Sequence, residues 1–332
     1  MNSNIHEKRF DKQFKTLESL LKTAAKAKDP GLYLYQKNFR APLFQLEALA
    51  RIYTEINDDP KHFKKLLNQA KKMEDLIGQL DYFAVFVQQY QSRQDLPKAV
   101  QKHFVRHYMQ TLKKLNRRLE KKGWLSGKRI RKFRKVIRKA DLKVSSEDNS
   151  KLREFYLKEI REINEFTNNG RVYFDELEAG VHELRRKLRW LSIYATALNG
   201  GVQLAETLPV NQRLKKYLTP EIVQSPYNTL PSVKDKQVQP LLLSRDDFYA
   251  LSWMIDQLGR LKDRGLDFTG MEDALLEAGQ ADDRKTAMLS AKRYLKLSET
   301  PVDGIFSEAS RLTAQFFKDQ VLARLVIPED LH

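Results

Sequence analysis

The side chains with the clearest chemistry lie between residues 180 and 191, which read GVHELRRKLRWL. At about 100° per residue in a helix, one narrow stripe carries an imidazole and three guanidinium groups, while Leu184, Leu188 and Leu191 fall on the opposite side. We call this set the arginine stripe, and it consists of His182, Arg185, Arg186 and Arg189. Like charges at these spacings weaken a helix. A helix that keeps them either solvates this face or binds a polyanion there, and we favour the polyanion.

Two further predicted helical faces are rich in cations and contain no acid. The face of a helix over 97–122 carries His103, Arg106, His107, Gln110, Lys114, Arg117 and Lys121, and the preceding helix carries Lys61, Lys64, Lys65, Asn68 and Lys72. The side opposite the first face is predicted to hold Val105, Tyr108, Leu112, Leu115 and Leu119. Solvated helices usually alternate Glu with Lys at i,i+4 spacing. Three faces without acids therefore favour anion binding over ordinary solvation.

Segment 113–139 is the most basic part of the chain. It holds fourteen Lys and Arg and a single acid, Glu120, a local charge of +13 out of a net +17. Ile130, Phe133 and Ile137 share one helical face, so we expect the last part of the segment to pack against the protein. A nonspecific cationic patch and a dedicated site explain this segment equally well.

Composition predicts an all-α protein. The 332 residues include only 13 Gly and 11 Pro beside abundant helix formers, and no run of alternating β-branched residues indicates a sheet. Helices are predicted over 5–27, from the Asp29-Pro30-Gly31 break to about Ile56 with a kink or interruption at Pro42, and over 60–91, 97–122, 128–139, 149–167, 171–198, 245–263, 271–278, 283–297 and 304–326. Residues 217–240 carry several prolines and are predicted to be irregular.

Several function classes find no support in the sequence. The absence of cysteine excludes disulfides, thiolate nucleophiles and cysteine metal sites. Gly123–Arg129 is similar to a phosphate loop but has too few residues between its glycines and Arg in place of Ser or Thr. HExxH, GxSxG and acidic clusters with metal-ligand spacing are missing. We therefore predict a protein without catalytic activity, cofactor or metal. The chain shows no signal peptide and no apolar stretch of about 20 residues, so we expect a soluble cytoplasmic protein with no membrane partner.

The arginine stripe resembles the signature helix of the CHAD family, the conserved histidine α-helical domains. That signature has a His followed by Arg at +3 and +7, which His182, Arg185 and Arg189 match, while Trp190 stands where a further basic residue is expected. A later CHAD helix carries a Leu-Gly-x-x-Arg-Asp element, and residues 258–263, LGRLKD, are similar to it with Lys in place of Arg. The resemblance covers roughly residues 30–326.

The first half of the chain contains a divergent copy of both elements. Its comparable helix, YQKNFRAPLFQLEAL, has Lys37 at the His position, Arg40 at +3 and Phe44 at +7, interrupted by Pro42. The later motif is echoed by residues 76–81, LIGQLD, with the acid one residue early. The resemblance implies two helical-bundle halves related by internal duplication around a basic central groove. The expected domains are an N-terminal helix over 1–29, a divergent first half over 30–142 and a second half over 143–332.

The family resemblance implies non-catalytic binding of inorganic polyphosphate, with an association with polyphosphate granules as a further expectation. The ExExK motif of triphosphate tunnel domains is missing, so we predict no phosphatase activity. The polyphosphate ligands are predicted to be His182, Arg185, Arg186, Arg189, Lys37, Arg40, Lys65, Lys72, His103, Arg106, His107, Lys114 and Arg117. Two other functions stay open. One is RNA or DNA binding through 113–139, with nucleobases stacking on the rings of Tyr108 and Trp124. The other is a helical scaffold for an acidic protein partner. The sequence does not determine the oligomeric state.

Overall fold

The computed structural model describes residues 4–57, 59–140, 142–206, 211–232 and 239–328, and these ranges are predominantly helical. The helices are α1 Ile5–Ala24, α2 Pro30–Gln36, α3 Arg40–Ile56, α4 Lys61–Tyr90, α5 Lys98–Lys121, α6 Lys128–Lys139, α7 Asp148–Phe166, α8 Glu183–Ala197, α9 Pro220–Val223, α10 Arg245–Glu277, α11 Arg284–Leu295, α12 Pro301–Lys318 and α13 Val321–Leu325. The all-α prediction is confirmed. No helix in the described ranges combines the length and hydropathy needed to cross a lipid bilayer.

The chain forms two compact units. Unit 1 comprises Met1–Val144 and Asp267–Ser298, and unit 2 comprises Ser145–Leu266 and Glu299–His332. Helix α10 therefore begins in unit 2 and ends in unit 1. The first change of unit, between Val144 and Ser145, lies close to the limit expected between residues 142 and 143. The second change, inside α10, has no counterpart among the domain limits expected from sequence.

In unit 1 the chain breaks between α2 and α3 rather than kinking at Pro42. Asp29 caps α2 by accepting a hydrogen bond from the Leu32 amide at 2.9 Å, and Pro30 takes the first helical position. Asn38 has φ 51°, in the left-handed region, and therefore interrupts the helical backbone between α2 and α3. Pro42 then falls in the first turn of α3, where a missing N–H costs no intrahelical hydrogen bond. The proline starts a helix instead of bending one.

Helix α5 of unit 1 is turned slightly from the predicted orientation. Phe104 is buried and its ring stacks on Phe86 at 4.7 Å with an interplanar angle of 4°. Val105, predicted to face the core, is 37% exposed, while His103, predicted to face solvent, is 6% exposed. The aromatic contact determines which side of the helix is buried. Apolar periodicity alone did not distinguish Phe104 from its neighbour Val105.

In unit 2 the arginine stripe does not lie on one helix from residue 171. Asn168, Asn169 and Gly170 all have positive φ, and the chain is non-helical over 172–176. A single π-helical turn, Leu177–His182, then leads into α8. The predicted apolar face is confirmed, because Leu184, Leu188 and Leu191 are fully buried.

Helix α10 runs without the break predicted at 264–270. Two glycines of this stretch are places of close packing. A methyl group at Gly265 would lie 2.6 Å from the side chain of Leu177, and one at Gly270 would lie 2.3 Å from the ring of Phe86. The chain also forms a two-stranded parallel sheet that the sequence did not predict, β1 Val202–Ala205 with β2 Leu241–Ser244, in the register Val202 to Leu241.

Candidate polyanion-binding site

The carboxylate of Glu178 lies beside the arginine stripe in unit 2. His182 contacts it from one helical turn later, with 2.9 Å between Nδ1 and Oε2. The pKa of Glu178 is lowered, mainly by the hydrogen bond with His182 and by the charge of that ring, and further by the charges of Lys262 and Arg186. Lys262 belongs to the α10 motif at 258–263. The π-helical turn, α8 and α10 therefore bring cations to one place in unit 2.

Arg185 is held against α10 at a glycine. Its Nε donates a hydrogen bond to the carbonyl oxygen of Ile255 at 3.2 Å, and a methyl group at Gly259 would lie 2.9 Å from the same Nε. The side chain lies in space that any residue other than glycine would fill. Gly259 of the 258–263 motif thus leaves the space that the side chain of Arg185 occupies.

The other cations of this region have acidic neighbours. Arg186 pairs with Glu183 at 2.5 Å while remaining 56% exposed, and Lys262 pairs with Asp263 at 2.6 Å. Arg189 is half-buried. Each of these two pairs joins an exposed side chain to a largely buried one, since the Glu183 and Lys262 side chains are only 22% and 18% exposed. Ion pairs at the protein surface contribute little to stability.

Unit 1 repeats this local geometry with a different charge balance. Nε and Nη2 of Arg40 both contact Oε1 of Glu74, at 2.6 and 2.5 Å, and a methyl group at Gly78 would lie 2.6 Å from Nη2. Glu74 precedes Gly78 by four residues, as Ile255 precedes Gly259. Asp81 adds a second carboxylate, 3.8 Å from Nη1. Arg40 is thus held by two carboxylates.

The remaining predicted ligands in unit 1 fall into exposed and buried groups. Those exposed on α4 and α5 are Lys65, Lys72, Arg106, Lys114 and Arg117. Lys37 is also exposed and lines a shallow depression of about 600 Å³ together with Lys15. His103 does not belong to this exposed face, as its burial shows.

His103 and His107 instead face a carboxylate that sequence reasoning missed. Nδ1 of His103 and Nε2 of His107 lie 3.7 and 3.4 Å from Oε2 of Glu277 at the end of α10. Burial, together with the charge of His107, lowers the pKa of His103. No sequence signal links α5 with residue 277, because the two are far apart along the chain. Only the fold of unit 1 brings them together.

Helix α6 carries the densest cations on an ordered surface. Ile130, Phe133 and Ile137 are buried, which confirms that this segment packs. The exposed cations on its other side are Lys128, Arg131, Lys132, Lys135, Arg138 and Lys139. Trp124, proposed to stack on bases, is fully buried, and Tyr108 is half-buried. Trp124 is therefore closed to a nucleobase.

Comparison with known proteins gives no match: no family model, curated protein or solved structure is similar to this chain. The CHAD resemblance accordingly rests on the residues quoted above.

Proposed function

We propose that this protein binds inorganic polyphosphate without catalysis, and that the arginine stripe of unit 2 is its main contact. The observation that carries the proposal is the position of basic groups around Glu178: His182 contacts its carboxylate at 2.9 Å, and the charges of Lys262 and Arg186 help to lower its pKa. The π-helical turn, α8 and α10 each contribute one of these basic groups, and the carboxylates of Glu178, Glu183 and Asp263 are their present partners. An anion that replaces these carboxylates gains the attraction of all three basic groups.

The geometry suits a chain of phosphates. Arginine forks match phosphate oxygens in bidentate fashion and stay charged at every physiological pH. Successive turns of a helix repeat every 5.4 Å, so Arg185 and Arg189 offer two guanidinium groups about one turn apart. Polyphosphate carries about one charge per unit and no bases, so closely spaced cations in fixed positions are sufficient for recognition.

The local match between the two units supports the family resemblance. In each unit the arginine at +3 lies against the glycine of a later motif and contacts the residue four positions before that glycine. We propose that the units descend from a duplicated CHAD-like half. In unit 1 Arg40 is engaged in an ion pair with the Glu74 carboxylate. The additional polyphosphate contacts that we assign to unit 1 are therefore Lys37, Lys65, Lys72 and the exposed cations of α5.

Nucleic acid is the second candidate, favoured by the exposed cations of α6. Single-strand binding proteins combine such cations with exposed aromatic rings on which bases stack. The burial of Trp124 removes one of the two rings that the sequence offered. The α6 surface therefore attracts only the phosphate backbone of a nucleic acid, and we propose that RNA competes nonspecifically with polyphosphate.

Arginine substitution tests the proposal directly. Fluorescently labelled long-chain polyphosphate is titrated with the wild-type chain, Arg185→Gln, Arg189→Gln and the control Arg311→Gln over a range of salt concentrations. Arg311 carries the same charge in unit 2, is 65% exposed and pairs with Glu308. Each stripe variant should bind more weakly and reduce the slope of log K against log salt by about 0.7–0.9. Equal effects in all three variants would show that only net charge matters and would refute the site.

A further inference from the structure

A second cluster, in unit 1, has the composition and spacing of a metal site. We infer that His103, His107 and Glu277 together bind a divalent transition-metal ion. One ligand atom from each residue lies within 4.8 Å of the other two. The contacts of 3.7 and 3.4 Å to Oε2 of Glu277 are close to the edge of about 3.3 Å that ligands at 2.0–2.1 Å from a tetrahedral zinc ion span. Small side-chain rotations are enough to close the site.

The buried histidine supplies an independent observation. His103 is 6% exposed, and its Nδ1 is buried without a hydrogen-bond partner. Leaving a buried polar atom unsatisfied costs about 1–3 kcal/mol, so such atoms call for an explanation. Nδ1 lies in the cluster, beside His107 and Glu277. A metal ion would satisfy it with a bond stronger than any hydrogen bond available there.

The neighbouring side chains hold the cluster in place and leave it accessible. The ring of His107 stacks on Phe83 at 5.1 Å, and the two histidine rings lie 4.3 Å apart, as expected for i,i+4 neighbours on one helix. Glu277 is 57% exposed, which gives an ion a path from solvent. The histidines are therefore positioned by packing before any ion arrives, and the carboxylate closes from the outside.

The ligand set indicates the class of ion. Imidazole nitrogens suit zinc, iron, copper and nickel, whereas magnesium and calcium prefer sets made of oxygen alone. Asp273, one turn before Glu277 on α10, is engaged by Arg284 at 3.3 Å. Three protein ligands leave further coordination positions for water or for a small anion.

The same geometry separates this cluster from the polyphosphate contacts. The Glu277 carboxylate already occupies the space between the imidazoles where a phosphate oxygen would have to lie. The negative charge of the Glu277 carboxylate attracts a cation and repels an anion. His103 and His107, assigned from sequence to a polyanion, therefore serve a cation in this inference, which stands whether or not polyphosphate binds.

Zinc binding to the full-length chain without an affinity tag tests the inference. Isothermal titration with zinc, and metal analysis after dialysis, are compared for the wild type, His107→Gln, Glu277→Gln and the control His62→Gln. His62 also contacts a carboxylate, Asp59, at 3.0 Å, and among the described residues no third ligand joins that pair. Loss of an outer-sphere partner alone weakens metal sites by about 10–100-fold, so loss of a ligand should cost at least as much.

We expect one equivalent of zinc per wild-type chain, binding at least about tenfold weaker in both cluster variants, and unchanged binding in the control. If His107→Gln fails to fold, Glu277→Gln at an exposed side chain still provides the test. Absence of zinc uptake by the folded wild type overturns the inference. So does binding that survives Glu277→Gln unchanged, or that falls equally in His62→Gln.

Discussion

Arg185 lies against Gly259 so closely that a methyl group at the glycine would come within 2.9 Å of Nε. Replacing Gly259 with Ala should therefore displace the guanidinium and break its hydrogen bond to the Ile255 carbonyl. The clash involves the far end of a flexible side chain, and Ala is about 1 kcal/mol better than Gly in a helix, so stability should not fall. Thermal unfolding and polyphosphate titration check this together. Wild-type affinity for polyphosphate in this variant would mean that the position of the Arg185 guanidinium does not affect binding.

Arg40 and Arg185 should respond in opposite ways to the same substitution. Arg40→Gln leaves Glu74, whose side chain is 8% exposed, without its charged partner, and should destabilise the protein by about 1–3 kcal/mol. Polyphosphate affinity should change little. Arg185→Gln should lower affinity with a smaller effect on stability. Urea unfolding and titration of both variants give the comparison, and a larger loss of affinity in Arg40→Gln would reverse the assignment of roles.

Removing the acid beside the arginine stripe should strengthen polyanion binding. Glu178→Gln eliminates the carboxylate that contacts His182 and whose pKa the charges of Lys262 and Arg186 lower. At a solvent-exposed site the repulsion removed is about 1 kcal/mol, which corresponds to about fivefold tighter binding. The control is Glu147→Gln, which removes an acid of unit 2 that also pairs with a cation at i,i+4 spacing, Lys151 at 3.2 Å. Equal tightening in both variants would assign the effect to net charge.

Tyr35 should make stability sensitive to alkaline pH. Its hydroxyl donates to Asp81 at 3.0 Å, and burial together with that carboxylate raises its pKa from 10.0 to about 12. Because the folded protein holds this proton more tightly than the unfolded chain, the stabilisation is complete below about pH 10 and is lost as the pH rises towards about 12. Urea unfolding across this range should show a smaller decline for Tyr35→Phe. Parallel declines in both proteins would contradict the shift.

The sequence predicted those features that depend on local periodicity. The buried Leu184, Leu188 and Leu191 and the apolar face of α6 follow from 3.6-residue spacing, and Asp29 with Pro30 correctly marked a helix start. The sequence did not predict features created by close approach. The predicted break at 264–270 is absent, and Gly265 within it packs against Leu177.

The candidate sites show the same division. The arginine stripe could be read from one segment, because its residues lie within about two turns. The neutralisation of Arg40 by Glu74 could not, since α3 and α4 meet only in the folded unit. No sequence pattern marked Glu277 as a site residue, because single exposed acids are common at the ends of long helices. Only the fold places it beside His103 and His107.

Competition between two polyanions tests the central claim most directly. Labelled polyphosphate bound to the wild-type chain at about 150 mM salt, a physiological ionic strength, is displaced by unlabelled polyphosphate or by single-stranded RNA at equal phosphate concentration. Our account predicts that unlabelled polyphosphate displaces the label at a much lower concentration than RNA does. In Arg185→Gln the two displacing concentrations should lie closer together. Displacement by RNA at the same or a lower concentration would contradict the account and identify the cationic faces as a nucleic-acid surface.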